Sequence, residues 1–176
     1  CEYFQFPPFE NPYQVLGRYV NGRGVRGTTL IVVPDSRAVR RLFSIFPEAV
    51  VLDSDLERTV RYENYLRAKY SAGNIVIGTR SAIFADIPDL EEIIVVDEGS
   101  ENYYEPRTPG WNVRDVSFIR SRISSVPLVF CGFSPSVEIG LMLEKGEISY
   151  KASDARLAVI NFQPEHGELL PGRVIK

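Results

Sequence analysis

Short apolar runs of strand length alternate along the chain with stretches whose apolar positions recur at helical spacing. The strand candidates are 28–33 (TTLIVV), 49–52 (AVVL), 74–78 (NIVIG), 91–97 (EEIIVVD), 127–132 (PLVFCG) and 157–162 (LAVINF), with a further strand expected beside Cys1. Most are apolar throughout and rich in Val and Ile, the pattern of strands buried on both faces of a parallel sheet. Between them the spacing predicts helices over 13–21, 36–46, 57–71, 112–124 and 135–145. Val39, Leu42, Phe43 and Phe46 follow a helical period, as do Ile119 and Ile123. Asp35 and Ser36 offer an N-cap after the first of these strands, and Ser134 does the same before the last helix. Such alternation is the signature of an α/β fold with a mainly parallel sheet. Strand 91–97 is expected at its centre, between 28–33 and 127–132.

Composition bounds the class without changing that picture. The 176 residues suit one domain with a full core. Hydrophobic residues at 44% and charged residues at 24% exclude a disordered or fibrous chain. No apolar run approaches the roughly 18 residues of a membrane span, and no signal-peptide pattern opens the chain. Cys1 and Cys131 lie too far apart in sequence for a local metal knuckle, so no metal site is expected here, and the reducing cytoplasm suits them best. The start at Cys1 and the ending LLPGRVIK are what a piece of a longer protein would show.

The net charge of −3 argues mildly against a surface that binds nucleic acid all over. Its distribution is more informative. Residues 86–98 hold six acids and no base, whereas 18–41 hold six arginines against Asp35 alone. An arginine run of that kind can meet phosphate or form a solvated helix face. The one histidine, His166, lies in the polar stretch 163–172, where a solvent-exposed linker histidine is the expectation.

In open parallel sheets ligands bind beyond the carboxyl ends of the strands. Those ends carry Pro34-Asp35, Gly78-Thr79-Arg80-Ser81, Asp97-Glu98 and Gly132-Phe133-Ser134-Pro135. An acid pair after an apolar strand is a costly place for charge unless a cation or polar partner meets it. In nucleotide-binding α/β proteins such an acid holds Mg²⁺; capping or a solvated pair is the plainer alternative.

Taken together these segments resemble a known family. The run GNIVIGTRSAIFADIPDLEEIIVVDE, the loop carrying Tyr103, Tyr104 and Trp111, and VRDVSFIRSRISSVPLVFCGFSPSVEI closely resemble the first RecA-like helicase lobe of the primosomal protein N′ (PriA) family of replication-restart DNA helicases. The likeness is strongest over 74–140 and extends back to Val32–Asp35. It implies a three-layer lobe of the P-loop-NTPase type over 1–162 and a linker over 163–176 toward a second lobe. It also matches GTRSA, on the family's nucleic-acid path, to Gly78–Ala82. The family's Walker B segment DEEH falls on Asp97, Glu98, Gly99 and Ser100, and its GSATP motif on Gly132, Phe133, Ser134 and Pro135. The 16 arginines against 4 lysines suit a high-GC genome, and actinobacterial relatives are known as a group to have lost helicase motifs.

The departures matter as much. Family members use ATP with Mg²⁺ and a structural Zn²⁺ whose cysteines lie outside this segment. A P-loop needs glycines, a Lys and a Ser or Thr. FQFPPFENPYQVL has none of them; Glu10 falls at the Lys position and Asn11 at the Thr position. Pro7, Pro8 and Pro12 remove donors that an anion nest requires. At about 4 Å and an effective dielectric near 20, a Glu10–phosphate contact would cost roughly 4 kcal/mol.

The resemblance therefore implies a replication-restart protein that recognises forked or single-stranded DNA and meets primosome proteins and single-stranded DNA-binding protein in the bacterial cytoplasm, at the nucleoid. Its motor lobe is expected to be nucleotide-silent and to lack unwinding activity. Tyr103, Tyr104 and Trp111 are candidates to stack on bases, with Thr79, Arg80, Arg107 and Arg114 on phosphate; the alternative is that the aromatics only staple the loop. Two other readings stand beside it: an active ATP-dependent 3′–5′ helicase with a cation supplied by Arg18 or Arg80, and a structural domain without DNA contact.

Overall fold

The computed structural model describes residues 1–24 and 26–152. Among these residues seven strands form one sheet in which every pairing is parallel: β1 (Glu2–Gln5), β2 (Thr28–Val32), β3 (Val50–Leu52), β4 (Ile75–Gly78), β5 (Leu90–Val96), β8 (Leu128–Gly132) and β9 (Ser149–Lys151). Between β5 and β8 in the chain, β6 (Tyr104–Glu105) and β7 (Trp111–Asn112) make a small antiparallel ribbon. The sheet order is β3-β4-β2-β5-β8-β1-β9, so β5 lies at its centre between β2 and β8, as the apolar runs predict.

The continuous apolar runs are explained by burial on two faces. Leu30, Val32, Ile93, Val95, Leu128 and Phe130 point into one core, and Ile31, Val33, Ile94, Val96, Val129 and Cys131 into the other. The second core is covered by α1 (Pro12–Arg23) and α2 (Ser36–Phe43) through Val15, Leu16, Val20, Val39 and Leu42. The first receives Ala68 of α3 (Arg58–Tyr70), Val113 of α4 (Val113–Ser124) and Ile139 of α5 (Val137–Glu144). The result is the three-layer RecA-like architecture.

Caps set the helix boundaries. Asp35 accepts the Ala38 N–H at 2.8 Å and starts α2 directly off β2. The last helix corrects the expectation at Ser134: its cap is Ser136, whose hydroxyl accepts the Ile139 N–H at 3.3 Å. Helix α5 begins at Val137, so a hydroxyl at 134 is two residues too early to reach its orphan donors. The short edge strand β9 was not among the apolar runs because all three of its residues are exposed. The strand expected over 157–162, the linker over 163–176 and His166 lie outside the described residues. No helix among the described residues is long and apolar enough to cross a membrane.

Candidate nucleic-acid interface and nucleotide position

Because every strand of the sheet runs the same way, all the segments singled out above emerge at one edge. Across that edge the order is fixed by the sheet: Thr79–Arg80 after β4, Pro34–Asp35 after β2, Asp97–Ser100 after β5, Gly132–Pro135 after β8, and Phe6–Asn11 after β1.

The β4–β2 side is open. A groove of about 600 Å³ is lined by Pro34, Asp35, Ser36, Thr79, Arg80 and Tyr104 among others. Gly78, just before Thr79, packs where no side chain fits, since a Cβ there would sit 2.6 Å from the Leu52 carbonyl oxygen and 2.4 Å from Ala82. The chain then turns into a 3-10 segment, Arg80–Phe84, held from the far side by Arg120 of α4. The Arg120 guanidinium donates to the carbonyls of Ile83 and, at 2.7 Å, Ala85. Burial lowers its pKa, and those carbonyls satisfy it.

Arg80 is tied to the loop that follows β5. It donates to the Tyr104 carbonyl at 2.6 Å and to Glu105 at 2.8 Å, and its guanidinium stands 5.8 Å from the centre of the Trp111 ring. Trp111 in turn meets Phe84 edge-on at 4.8 Å. Arg80 keeps a third of its side-chain surface exposed, so it is bound to the loop without being sealed off. Half-buried Thr79, exposed Tyr104 and the 91% exposed side chain of Arg107 complete the accessible candidates.

Two candidates are corrected. Tyr103 is fully buried, its hydroxyl donating toward the carbonyl oxygens of Val32 (3.0 Å) and Val96 (2.6 Å). It bridges the ends of β2 and β5 and has no face left for a base. Arg114 shows only 14% of its side chain and pairs with Glu138 at 3.0 Å and with Asp115, pinning α4 to α5. Glu138 is accordingly held below the usual carboxylate range by its own backbone N–H and then by Arg114.

At the centre of the edge the acid pair splits. Asp97 is exposed at φ +54 in the turn that leaves β5, where Asp is among the few side chains that tolerate a left-handed backbone. Glu98 turns inward, 2% exposed, and accepts the Ser136 N–H at 2.7 Å; its other oxygen has no partner among the described residues. Burial pushes its carboxyl up, and the Ser136 backbone N–H only partly opposes this. Gly99 packs on Ser136, and Ser100 caps the short 3-10 turn by accepting the Asn102 N–H. Glu98 thus braces the start of α5. The buried Tyr3 hydroxyl likewise has no partner among the described residues and would stand 3.1 Å from a Cβ on Gly132.

The β1 side is tighter, with a hollow of about 290 Å³ beside the start of α1. The Phe6 N–H donates to the Gly132 carbonyl at 2.8 Å, and the Phe6 ring meets Phe133 edge-on at 5.8 Å. Gln5 donates to the Phe133 carbonyl at 2.9 Å. Asn11 accepts the Tyr13 and Gln14 N–H groups at 3.0 and 3.4 Å, while Pro12 has none to give. Those N–H groups are what a helix N-terminus would offer a phosphate. Glu10 pairs with Arg18, and Phe9 is fully exposed at φ +74. These residues do not offer the cradle of a Mg²⁺-bound triphosphate: Asn11 takes the Tyr13 and Gln14 donors, Pro12 has none, and the cation beside them, Arg41, stands over the Tyr13 ring at 5.5 Å. Among the described residues no group of three or more His, Cys, Asp or Glu side chains could hold a metal ion.

Sequence reasoning missed Arg120, Phe84, Gln5 and Glu138. Phe84 was visible as an apolar residue two positions after GTRSA. Arg120 sits in an Arg-Ser-Arg run that reads as solvated, and only the packing of α4 reveals its role.

No protein-family model matches the chain. Its relatives include the "Probable replication restart protein PriA" of Mycobacterium leprae, 28% identical over 123 residues, covering 66% of this chain. The replication restart protein PriA of Thermotoga maritima is 25% identical over 151 residues, covering 82% of this chain. The chain spans about a fifth of these relatives, 19% of each. Among solved structures, the C-terminal domain of Saccharomyces cerevisiae Dbp5, bound in that structure to Gle1 and IP6, superposes with a TM-score of 0.64. At 13% identity over 86% of this chain and 88% of that one, it shows the RecA-like fold alone.

Proposed function

We propose, from its likeness to replication restart protein PriA, that this chain is a DNA-engaging lobe of a replication-restart protein whose nucleotide site is silent. The observation that carries this reading is the asymmetry of the carboxyl edge. The β1–α1 loop commits its donors within the fold through Phe6 and Asn11 and leaves a hollow of about 290 Å³ beside the start of α1, whereas the groove of Thr79 and Arg80 measures about 600 Å³. An open groove with a hydroxyl, a guanidinium and nearby Tyr104 and Trp111 suits single-stranded DNA.

In this reading the lobe helps a bacterial cytoplasmic protein recognise forked or single-stranded DNA and assemble primosome proteins, including single-stranded DNA-binding protein. It neither binds ATP nor unwinds DNA. The two cations weighed for the active-helicase alternative stand away from the α1 start or are engaged there: Arg80 follows β4 and Arg18 pairs with Glu10. One observation favours a scaffold role without DNA contact: Tyr103 and Arg114 are both committed to holding the lobe together.

Titration calorimetry with Mg²⁺-ATP tests the nucleotide claim. No saturable binding is expected below millimolar concentration, and a micromolar dissociation constant would overturn it.

A further inference from the structure

A second groove adjoins the first. It holds about 470 Å³ between α3 and the 3-10 segment, and it shares Ser54 and Ser81 with the groove of Thr79 and Arg80. Its α3 wall presents Arg58, Arg61, Tyr62 and Tyr65, spaced i, i+3, i+4, i+7 and so aligned on one helix face. Phe84 forms the opposite wall. Tyr62 is 63% exposed and Phe84 60%, an unusual outlay of aromatic surface to water on two facing elements.

The charges there are uncompensated. Among the described residues neither Arg58 nor Arg61 meets a carboxylate, whereas Lys69, further along α3, is paired with Asp86 at 2.9 Å. The one acid in the lining, Asp53, is buried and accepts from the Ser36 hydroxyl and the Asp55 N–H. Glu63 is next to Tyr62 in sequence and so turned off this face. Free guanidinium groups beside exposed aromatic rings, continuous with a polar groove, suit a chain that carries both phosphates and bases.

We propose that the α3 face of Arg58, Arg61, Tyr62 and Tyr65, with Phe84, forms a second segment of the single-stranded DNA path. Bases stack on the rings and the two arginines meet phosphate. From Arg58 to Tyr65 the helix advances about 10 Å, which accommodates about three stacked bases at ~3.4 Å each. The inference rests on the DNA-engaging reading above and extends it from one groove to two.

Fluorescence anisotropy of the full chain with labelled oligothymidylate of about 5 and about 15 nucleotides separates the two segments. Tyr62→Ala is expected to weaken the long strand roughly 5- to 100-fold and to leave the short one unchanged. Tyr62→Phe, which keeps the ring, restores the parent affinity. Replacing both Arg58→Ala and Arg61→Ala should reduce the salt slope for the long strand by about 1.4. If Tyr62→Ala binds the long strand as the parent does while Arg80→Ala weakens it, the inference fails and the DNA reading stands. If the parent binds neither strand at low salt, both fail.

Discussion

The two sides of the carboxyl edge, after β1 and after β4, are built from the same parallel sheet and have different outcomes. At β1 the loop turns its backbone donors onto its own side chains: Asn11 caps α1, Phe6 docks on Phe133, and Glu10 pairs with Arg18. At β4 the loop is clamped from behind by Arg120 and from the side by Glu105, leaving its front face to solvent. A helix N-terminus after a strand is not enough for phosphate binding. What matters is whether its N–H groups are already satisfied, and here a single Asn side chain satisfies two.

The largest expected effect tests whether the open half depends on a buried tie. Tyr103→Ala removes a fully buried ring and both of its hydroxyl contacts, and should destabilise the fold by about 3–5 kcal/mol in urea unfolding. Its neighbour Tyr104→Ala, half exposed, should stay within about 0.5 kcal/mol. Equal effects would mean that the ribbon is not anchored as described.

Next is the front of the groove. Trp111→Ala should weaken single-stranded DNA binding by about 1–3 kcal/mol if the ring stacks on a base. Arg80→Ala should weaken it by about 1 kcal/mol for all sequences alike. It should also speed amide hydrogen exchange across Tyr104–Asn112, because the Tyr104 carbonyl and Glu105 lose their donor. Slower DNA loss than loop loosening would assign Arg80 to the loop rather than to phosphate.

A smaller effect probes the middle of the edge. Burial raises the Glu98 carboxyl, so the folded protein holds that proton more tightly than the unfolded chain does. Its contribution is therefore most favourable at low pH and is lost as pH rises through the ordinary carboxylate range toward the raised folded value. Glu98→Gln, which can still accept the Ser136 N–H, should raise the melting temperature at neutral pH by roughly 2–4 °C. The gain should vanish below about pH 4, near the unfolded carboxyl value. A loss of stability at neutral pH would instead mean that the charge itself is needed.

The sheet was legible because β2, β5 and β8 are buried on both faces and so lack the alternation that marks a half-exposed strand. Helix α2 was legible because Asp35 both ends β2 and caps the helix. The site was legible as a set of strand ends but not in its details. Tyr103 and Tyr104 are adjacent in sequence and identical in chemistry, yet one is buried under β2 and β5 and the other faces the groove. That choice is made by the 3-10 turn capped by Ser100, which composition does not display. Arg114 likewise carries the charge of a phosphate ligand, and only the placement of α5 brings Glu138 to it.

The most direct test is one titration run twice: labelled single-stranded DNA against the chain at low salt, with and without Mg²⁺-ATP. An open groove beside a nucleotide loop whose donors are already committed gives weak, salt-sensitive binding whose isotherm is the same in both runs. A shift of the isotherm on adding Mg²⁺-ATP, or no binding in either run, would contradict the account.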